Sequence, residues 1–141
     1  MLSPSGWTAA ESVAVSIGGH LATINDAAED AWVVSTFGSY LPVWIGLNDR
    51  TTEGTYVWTS GEPVSYLNWR PGEPNNSGNE DLVYLGSNGW NDYCENRGGC
   101  DALYGLVEVP TACPDSDGDG VTDASDACPG TAIGAAVDAD G

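Results

Sequence analysis

The chain has 141 residues, of which 21 are Asp or Glu against three Arg, no Lys and one His, for a formal net charge of −18. Negative charge on this scale excludes nucleic acid and anionic membrane surfaces as partners. No apolar run approaches the length of a transmembrane helix, and the length allows one domain, or one domain with a short appendage.

From the amino terminus, residues 7–18 and 26–37 carry apolar positions at helical spacing, with Thr8 and either Asn25 or Asp26 placed to cap them. After Pro42 the texture changes to short β-prone runs, Val43–Leu47, Thr55–Thr59, Leu82–Leu85 and Tyr104–Val109, separated by Gly, Asn, Pro and Ser. Two helices followed by short strands predict an α+β fold. Residues 60–80 have almost no periodicity, and a structureless loop of that length inside a compact domain points to function.

That loop and its flank gather Glu73, Asn75, Glu80, Asp81, Asn91 and Asp92 in a setting rich in turn formers. Carboxylates and side-chain amides are oxygen donors, and six to eight oxygens are what calcium takes. No cluster of His or Cys competes for the site, so a softer metal does not fit. Bound cations would also relieve the mutual repulsion of so many carboxylates.

Four cysteines, Cys94, Cys100, Cys113 and Cys128, point to an oxidising compartment. Short polar loops pair Cys94 with Cys100 and Cys113 with Cys128, and two other pairings stay open. Residues 1–20 lack the basic start and apolar stretch of a signal peptide, so an export signal is expected to be already removed or to lie outside this sequence. A second change of composition at Pro110 divides residues 1–110 from 111–141. Asp115, Asp117 and Asp119, with Gly120 sixth, the Val121 carbonyl seventh, Asp123 ninth and Asp126 twelfth, follow the spacing of an EF-hand loop. The acid at the twelfth position is Asp instead of Glu, and no helix pattern flanks the loop.

In order along the chain stand Trp7–Glu11 as a helix start, Gly18-Gly19-His20-Leu21-Ala22, Trp44-Ile45-Gly46-Leu47, Asn68-Trp69-Arg70-Pro71, Glu73-Pro74-Asn75 and Trp90-Asn91-Asp92. This ordered set resembles the C-type lectin domain, in its mannose-type subclass, over roughly residues 5–110. The resemblance implies a fold of two helices, short antiparallel sheets and a long calcium-binding loop. It implies further that Glu73, Asn75, Glu80, Asn91 and Asp92 hold a primary calcium and bind sugar through it, and that Asp49, Glu53, Asn76, Glu80 and Asp81 form an accessory calcium site. Asn76 stands where the family often has Asp. Trp90 is expected in the core under the site, and His20 in a structural role.

The chain departs from the family where Ala14 and Val107 replace its long-range disulfide and Leu82 replaces an inner cysteine. Closing a loop of about 90 residues is worth on the order of 4–5 kcal/mol in the chain-entropy model, so the fold must lean on its aromatic core and on bound metal. The segment 111–141, with Cys128-Pro129-Gly130-Thr131 and Val137-Asp138, resembles a partial thrombospondin type 3 repeat of the kind found in bacterial surface proteins, an irregular calcium-bound tail.

No Ser-His-Asp or Cys-His arrangement surrounds the single histidine, and the carboxylates suited to acid-base work are those committed to the cation. The expected function is therefore non-enzymatic: a secreted or cell-surface module that binds mannose-type glycans through calcium, with no nucleic-acid partner and no membrane insertion. The rival is a structural or assembly subunit that uses the fold as a calcium-stabilised brick, and a third reading is a receptor for protein ligands. Because Met1 lies so close to the first helix, the amino-terminal strand is expected to be missing or very short. That would leave Tyr104–Val109 as an open edge for self-association, filled from a neighbour by Thr131–Val137.

Overall fold

Residues 1–94 and 102–110 are described by the computed structural model. The chain opens on a strand, β1 (Leu2–Ser5), followed by helix α1 (Trp7–Ser16), strand β2 (His20–Leu21) and helix α2 (Ala27–Phe37). After a short 3-10 turn at Gly38–Tyr40 come β3 (Val43–Asn48), β4 (Val57–Trp58), β5 (Leu82–Gly86), β6 (Gly89–Tyr93), β7 (Leu103–Gly105) and β8 (Val107–Glu108). The fold is α+β, as the pattern of helices and short strands predicts.

Helix α1 turns Trp7, Ala10 and Ala14 inward, one face of a 3.6-residue repeat. Thr8 is not its cap. Gly6 stands at the N-cap without a side-chain bond, because the helix begins at Trp7, whose indole N–H reaches the Ile45 carbonyl at 2.8 Å. At α2 the cap is Asp26, whose Oδ1 accepts from the backbone N–H groups of Ala28 and Glu29, a contribution of about 1 kcal/mol.

The main sheet runs in the order β1, β7, β3, β5, β6, with β4 beside β3, while β2 and β8 form a separate ribbon. Strand β3 is buried along all six residues and pairs parallel with β7 and antiparallel with β5. Its alternation sends Val43, Ile45 and Leu47 into one apolar cluster with Trp58, Val83, Leu85 and Trp90, and Trp44 into a second with Trp7, Leu21 and Leu82. Gly46 fits only as glycine: a Cβ there would lie 2.5 Å from the Leu21 carbonyl oxygen and 2.7 Å from Thr59 Oγ1.

The open edge expected at Tyr104–Val109 does not exist. Four residues suffice for β1 to pair with β7, Leu2 opposite Gly105 and Ser5 opposite Leu103, and β8 is paired with β2. The Trp44 indole N–H donates to the Ser5 carbonyl at 2.9 Å and fastens the strand from beneath. The run read as one strand is two, each serving a different sheet. Ala14 and Leu82, standing where the family would place cysteines, are buried, so apolar packing fills those positions.

Candidate functional site

Asn91 and Asp92 lie on β6, a strand that the sequence reading passed over because Gly89-Trp90-Asn91-Asp92-Tyr93 has little alternation. Its signal was the Asn88-Gly89 pair, which favours a tight hairpin, between apolar β5 and the two aromatics. Five register pairs bind β6 to β5, from Leu82 with Tyr93 to Gly86 with Gly89. Trp90 is a core residue, fully buried and edge-on to Trp58, Tyr66 and Trp69.

The loop carrying the other residues is tied to this strand at both ends. The Trp90 N–H donates to the Asn68 carbonyl at 2.7 Å and the Arg70 N–H to the Trp90 carbonyl at 3.0 Å, a one-residue bridge between Trp69 and Trp90. Gly89 makes this approach feasible: its φ is +113°, and a Cβ would stand 2.8 Å from both Arg70 N and Asn68 O. Farther out the Glu73–Pro74 bond is cis, and Asn75 Nδ2 donates to Glu73 Oε2. The loop then closes on Asp92, whose Oδ1 accepts from Asn75 N at 3.1 Å and whose Oδ2 accepts from Asn76 N at 2.6 Å. Glu80 Oε2 accepts from Ser77 N, and Asn76 Oδ1 from Glu80 N.

Glu73, Asn75, Glu80 and Asp92 are thus linked through the loop, with Asn75 exposed, the Glu73 side chain only 6% exposed beside Arg70, and Glu80, Asn91 and Asp92 buried. Burial pushes the Glu80 carboxyl up, the Ser77 N–H pulls it back, and the charges of Asp92 and Glu73 raise it again. Arg70 was missed as a site residue. It binds Glu73 Oε1 through Nε at 3.1 Å and Nη2 at 2.8 Å, and donates from Nη1 to the Tyr84 hydroxyl at 3.0 Å.

A second group forms on the other side of the loop. Asp49 follows β3, is 1% exposed, and accepts at Oδ2 from Gly54 N; its own N–H donates to the Asp81 carbonyl. The Glu53 carboxyl is pushed up by desolvation, then by Asp49 and Asp81, with Asn76 opposing through a hydrogen bond. Tyr56, also missed, is partly buried against Trp69 and within electrostatic reach of both groups. Its hydroxyl is pushed up by burial and then by Asp49, Asp92, Glu53 and Glu80.

The donor chemistry fits a hard cation. Among the described residues Asp49 Oδ1 and Asn91 Oδ1 are buried oxygens without a hydrogen-bond partner, one in each group, and an unpartnered buried acceptor costs roughly 1–3 kcal/mol unless something satisfies it. Among the described residues no three His, Cys, Asp or Glu side chains make a metal cluster by themselves. An oxygen shell of the size calcium takes would need side-chain amides and backbone carbonyls to complete it. His20 has its structural role, Nδ1 lying 2.8 Å from Glu11 Oε1. Cys94 is disulfide-bonded. Cys100, Cys113, Cys128 and the acidic series Asp115, Asp117, Asp119, Val121, Asp123 and Asp126 lie outside the described residues, as does Thr131–Val137.

The chain is similar to known proteins in sequence and in fold. The family model of the lectin C-type domain matches residues 3–101. The low affinity immunoglobulin epsilon Fc receptor of Mus musculus is 35% identical over 120 residues, covering 77% of this chain and 36% of the receptor. A mannose-binding protein of Gallus gallus is 38% identical over 88 residues, covering 61% of this chain and 35% of that protein. The chain thus spans about a third of the length of these two relatives. Among solved structures, the cow C-type carbohydrate-recognition domain of CD23, determined in the presence of GlcNAc2Man3 oligosaccharide, superposes with a TM-score of 0.66 at 28% identity, over 78% of this chain and 84% of that one.

Proposed function

The chain belongs to the C-type lectin domain family, and on that footing we propose that it is a calcium-dependent carbohydrate-binding module that prefers mannose-type sugars. Like its family it is a binding domain and not an enzyme. The observation that carries the sugar reading is the Glu73 and Asn75 pair, a carboxylate acceptor beside the amide donor of an exposed asparagine, over a buried carboxylate and amide floor.

Glu73, Asn75, Glu80, Asn91 and Asp92 would hold the primary calcium, and Asp49, Glu53, Asn76, Glu80 and Asp81 the accessory one. Calcium, when bound, supplies coordination positions that two adjacent sugar hydroxyls can fill in place of water. Glu73 and Glu80 accept hydrogen bonds from those hydroxyls, and the amides of Asn75 and Asn91 donate to them. Arg70 holds Glu73 Oε1 and so turns Oε2 toward Asn75. With Asn75 exposed the site is shallow, and a Kd near 1 mM, about −4 kcal/mol, is the expected order for a single sugar; several copies on one surface would lower the apparent Kd.

The disulfide at Cys94 supports an extracellular setting, and no described helix is long and apolar enough to cross a membrane. Residues 111–141 are read on sequence alone as a calcium-binding spacer resembling a thrombospondin type 3 repeat, with Cys113 paired to Cys128 and Cys94 to Cys100. A glycan array read with calcium and with chelator tests the function. Retention of mannose, fucose or N-acetylglucosamine ligands in calcium and their release by chelator are expected; binding that ignores the chelator, or none in calcium, overturns the reading.

A further inference from the structure

Asp30 is a buried carboxylate that no step above uses. It sits in the first turn of α2, is 7% exposed, and among the described residues has no Arg, Lys or His as a hydrogen-bond partner. Both oxygens are committed instead to neutral donors: Oδ1 accepts from the Trp90 indole N–H at 2.7 Å and Oδ2 from Asn68 Nδ2 at 2.8 Å. Burying a carboxylate without a counter-charge is costly, so a role confined to packing would be met more cheaply by an apolar residue.

Its two partners flank the site. Trp90 precedes Asn91 and Asp92 on β6, and Asn68 lies two residues before Arg70, which grips Glu73. The same two residues are joined backbone to backbone, Trp90 N to Asn68 O at 2.7 Å. One carboxylate on a helix therefore fixes the strand bearing Asn91 and Asp92 and the entry to the loop bearing Glu73 and Asn75. Two bonds to one rigid anchor restrict the rotation of β6 about its axis and the spacing between strand and loop, the two variables that set how the oxygens converge.

We propose that Asp30 is a positioning residue for the cation site, acting through Trp90 and Asn68. The inference rests on the calcium reading above. Partners that orient metal ligands without touching the metal typically contribute 10–100-fold to affinity, and Asp30 is such a partner once removed.

The test is calorimetric titration of calcium chloride alone into the whole chain and into Asp30→Asn, Asp30→Leu and Asn68→Ala. Asp30→Asn keeps an acceptor for Trp90 and, with the Asn68 amide turned over, a donor for its oxygen, so its calcium Kd stays close to that of the unmodified chain. Asp30→Leu loses both bonds and weakens calcium binding about tenfold or more, while the Trp90 indole proton resonance shifts as its hydrogen bond is lost. Asn68→Ala keeps the backbone bond, reads the loop half alone, and decides the matter if Asp30→Leu does not fold. A purely structural Asp30 predicts a lower melting temperature in chelator with an unchanged calcium Kd. Unchanged Kd values in the folded variants, beside an unmodified chain that binds calcium, overturn this inference alone; an unmodified chain that binds no calcium overturns the site reading and this inference with it.

Discussion

Removing calcium should lower the melting temperature of the domain and loosen the loop before the helices. Of the three buried side-chain oxygens without a partner among the described residues, two, Asp49 Oδ1 and Asn91 Oδ1, belong to the site, and at roughly 1–3 kcal/mol apiece their satisfaction is worth about 2–6 kcal/mol. A ligand that binds only the folded state adds about 2.7 kcal/mol at a hundredfold excess over Kd, within that range. For a unit the size of Met1–Val109, each kcal/mol moves the midpoint by about 4 °C, so chelation should cost about 10 °C. Thermal melts followed by near-ultraviolet circular dichroism, where Trp58, Trp69 and Trp90 report on the site, read the shift in calcium and in chelator. Hydrogen exchange locates it. Protection should be lost at the amides of Asn75, Asn76 and Ser77, which rest on carboxylate and amide oxygens of the site, while α1 and α2 keep theirs. An unchanged midpoint, or helices that open with the loop, would refute the reasoning.

Reversing polarity with Glu73→Gln and Asn75→Asp keeps one carboxylate and one amide at the metal, so calorimetry should still find calcium binding, whereas mannose should lose about 1.5–3 kcal/mol, tenfold or more in Kd, and galactose should gain in relative terms. A double variant that binds mannose as before sinks the assignment. Gly89→Ala forces a Cβ to 2.8 Å from Arg70 N and Asn68 O at a φ of +113°, and urea unfolding should show a loss of about 1–3 kcal/mol together with weaker calcium binding. Glu80 has its carboxyl pushed up by burial, so in chelator its ionisation opposes folding: its contribution is most favourable below the ordinary carboxylate range and fades as pH rises through the raised value. Glu80→Gln should therefore melt higher than the unmodified chain in chelator at neutral pH, with the gap closing on acidification; a pH-independent gap would show that burial is not the cause.

Elements with strong local patterns were legible in the sequence. The helices and β3 have apolar spacing that survives any tertiary context, and Asp26 carries its cap in its own side chain. Strands β1, β2 and β6 were not legible, because each is defined by its partner. Leu2-Ser3-Pro4-Ser5 has no strand pattern, and only Leu103–Gly105 beside it and the Trp44 indole beneath make it one. The donor residues of the site could be named from their chemistry and motif order. Their arrangement on a hairpin could not, since it depends on Asn68, Asp30 and Gly89 holding Trp90 across sequence separations of 22, 60 and one residue. Arg70 and Tyr56 escaped for a related reason: nothing local distinguishes an arginine or a tyrosine that the fold brings to an acidic cluster.

The division of the site into a rigid half and a loop half has its own consequence. Asn91 and Asp92 are carried by β6, hydrogen-bonded along its length to β5 and packed through Trp90, whose burial contributes roughly 4–6 kcal/mol as an upper bound. Glu73 and Asn75 hang from a segment whose main ties to that frame are the Arg70 backbone bond, the Arg70 side chain and the two oxygens of Asp92. Asp92 therefore does two things at once. It is an expected calcium ligand, and it is the acceptor that folds the loop back so that Glu73 and Asn75 meet the floor. Truncating it removes a metal charge and both of the loop's acceptors together, so Asp92→Ala should impair calcium binding more than Asn91→Ala, although each removes one expected ligand side chain from the same shell. Equal losses in the two variants, measured by calcium titration, would mean that the loop is held by the metal alone and that the Asp92 hydrogen bonds contribute nothing to its order.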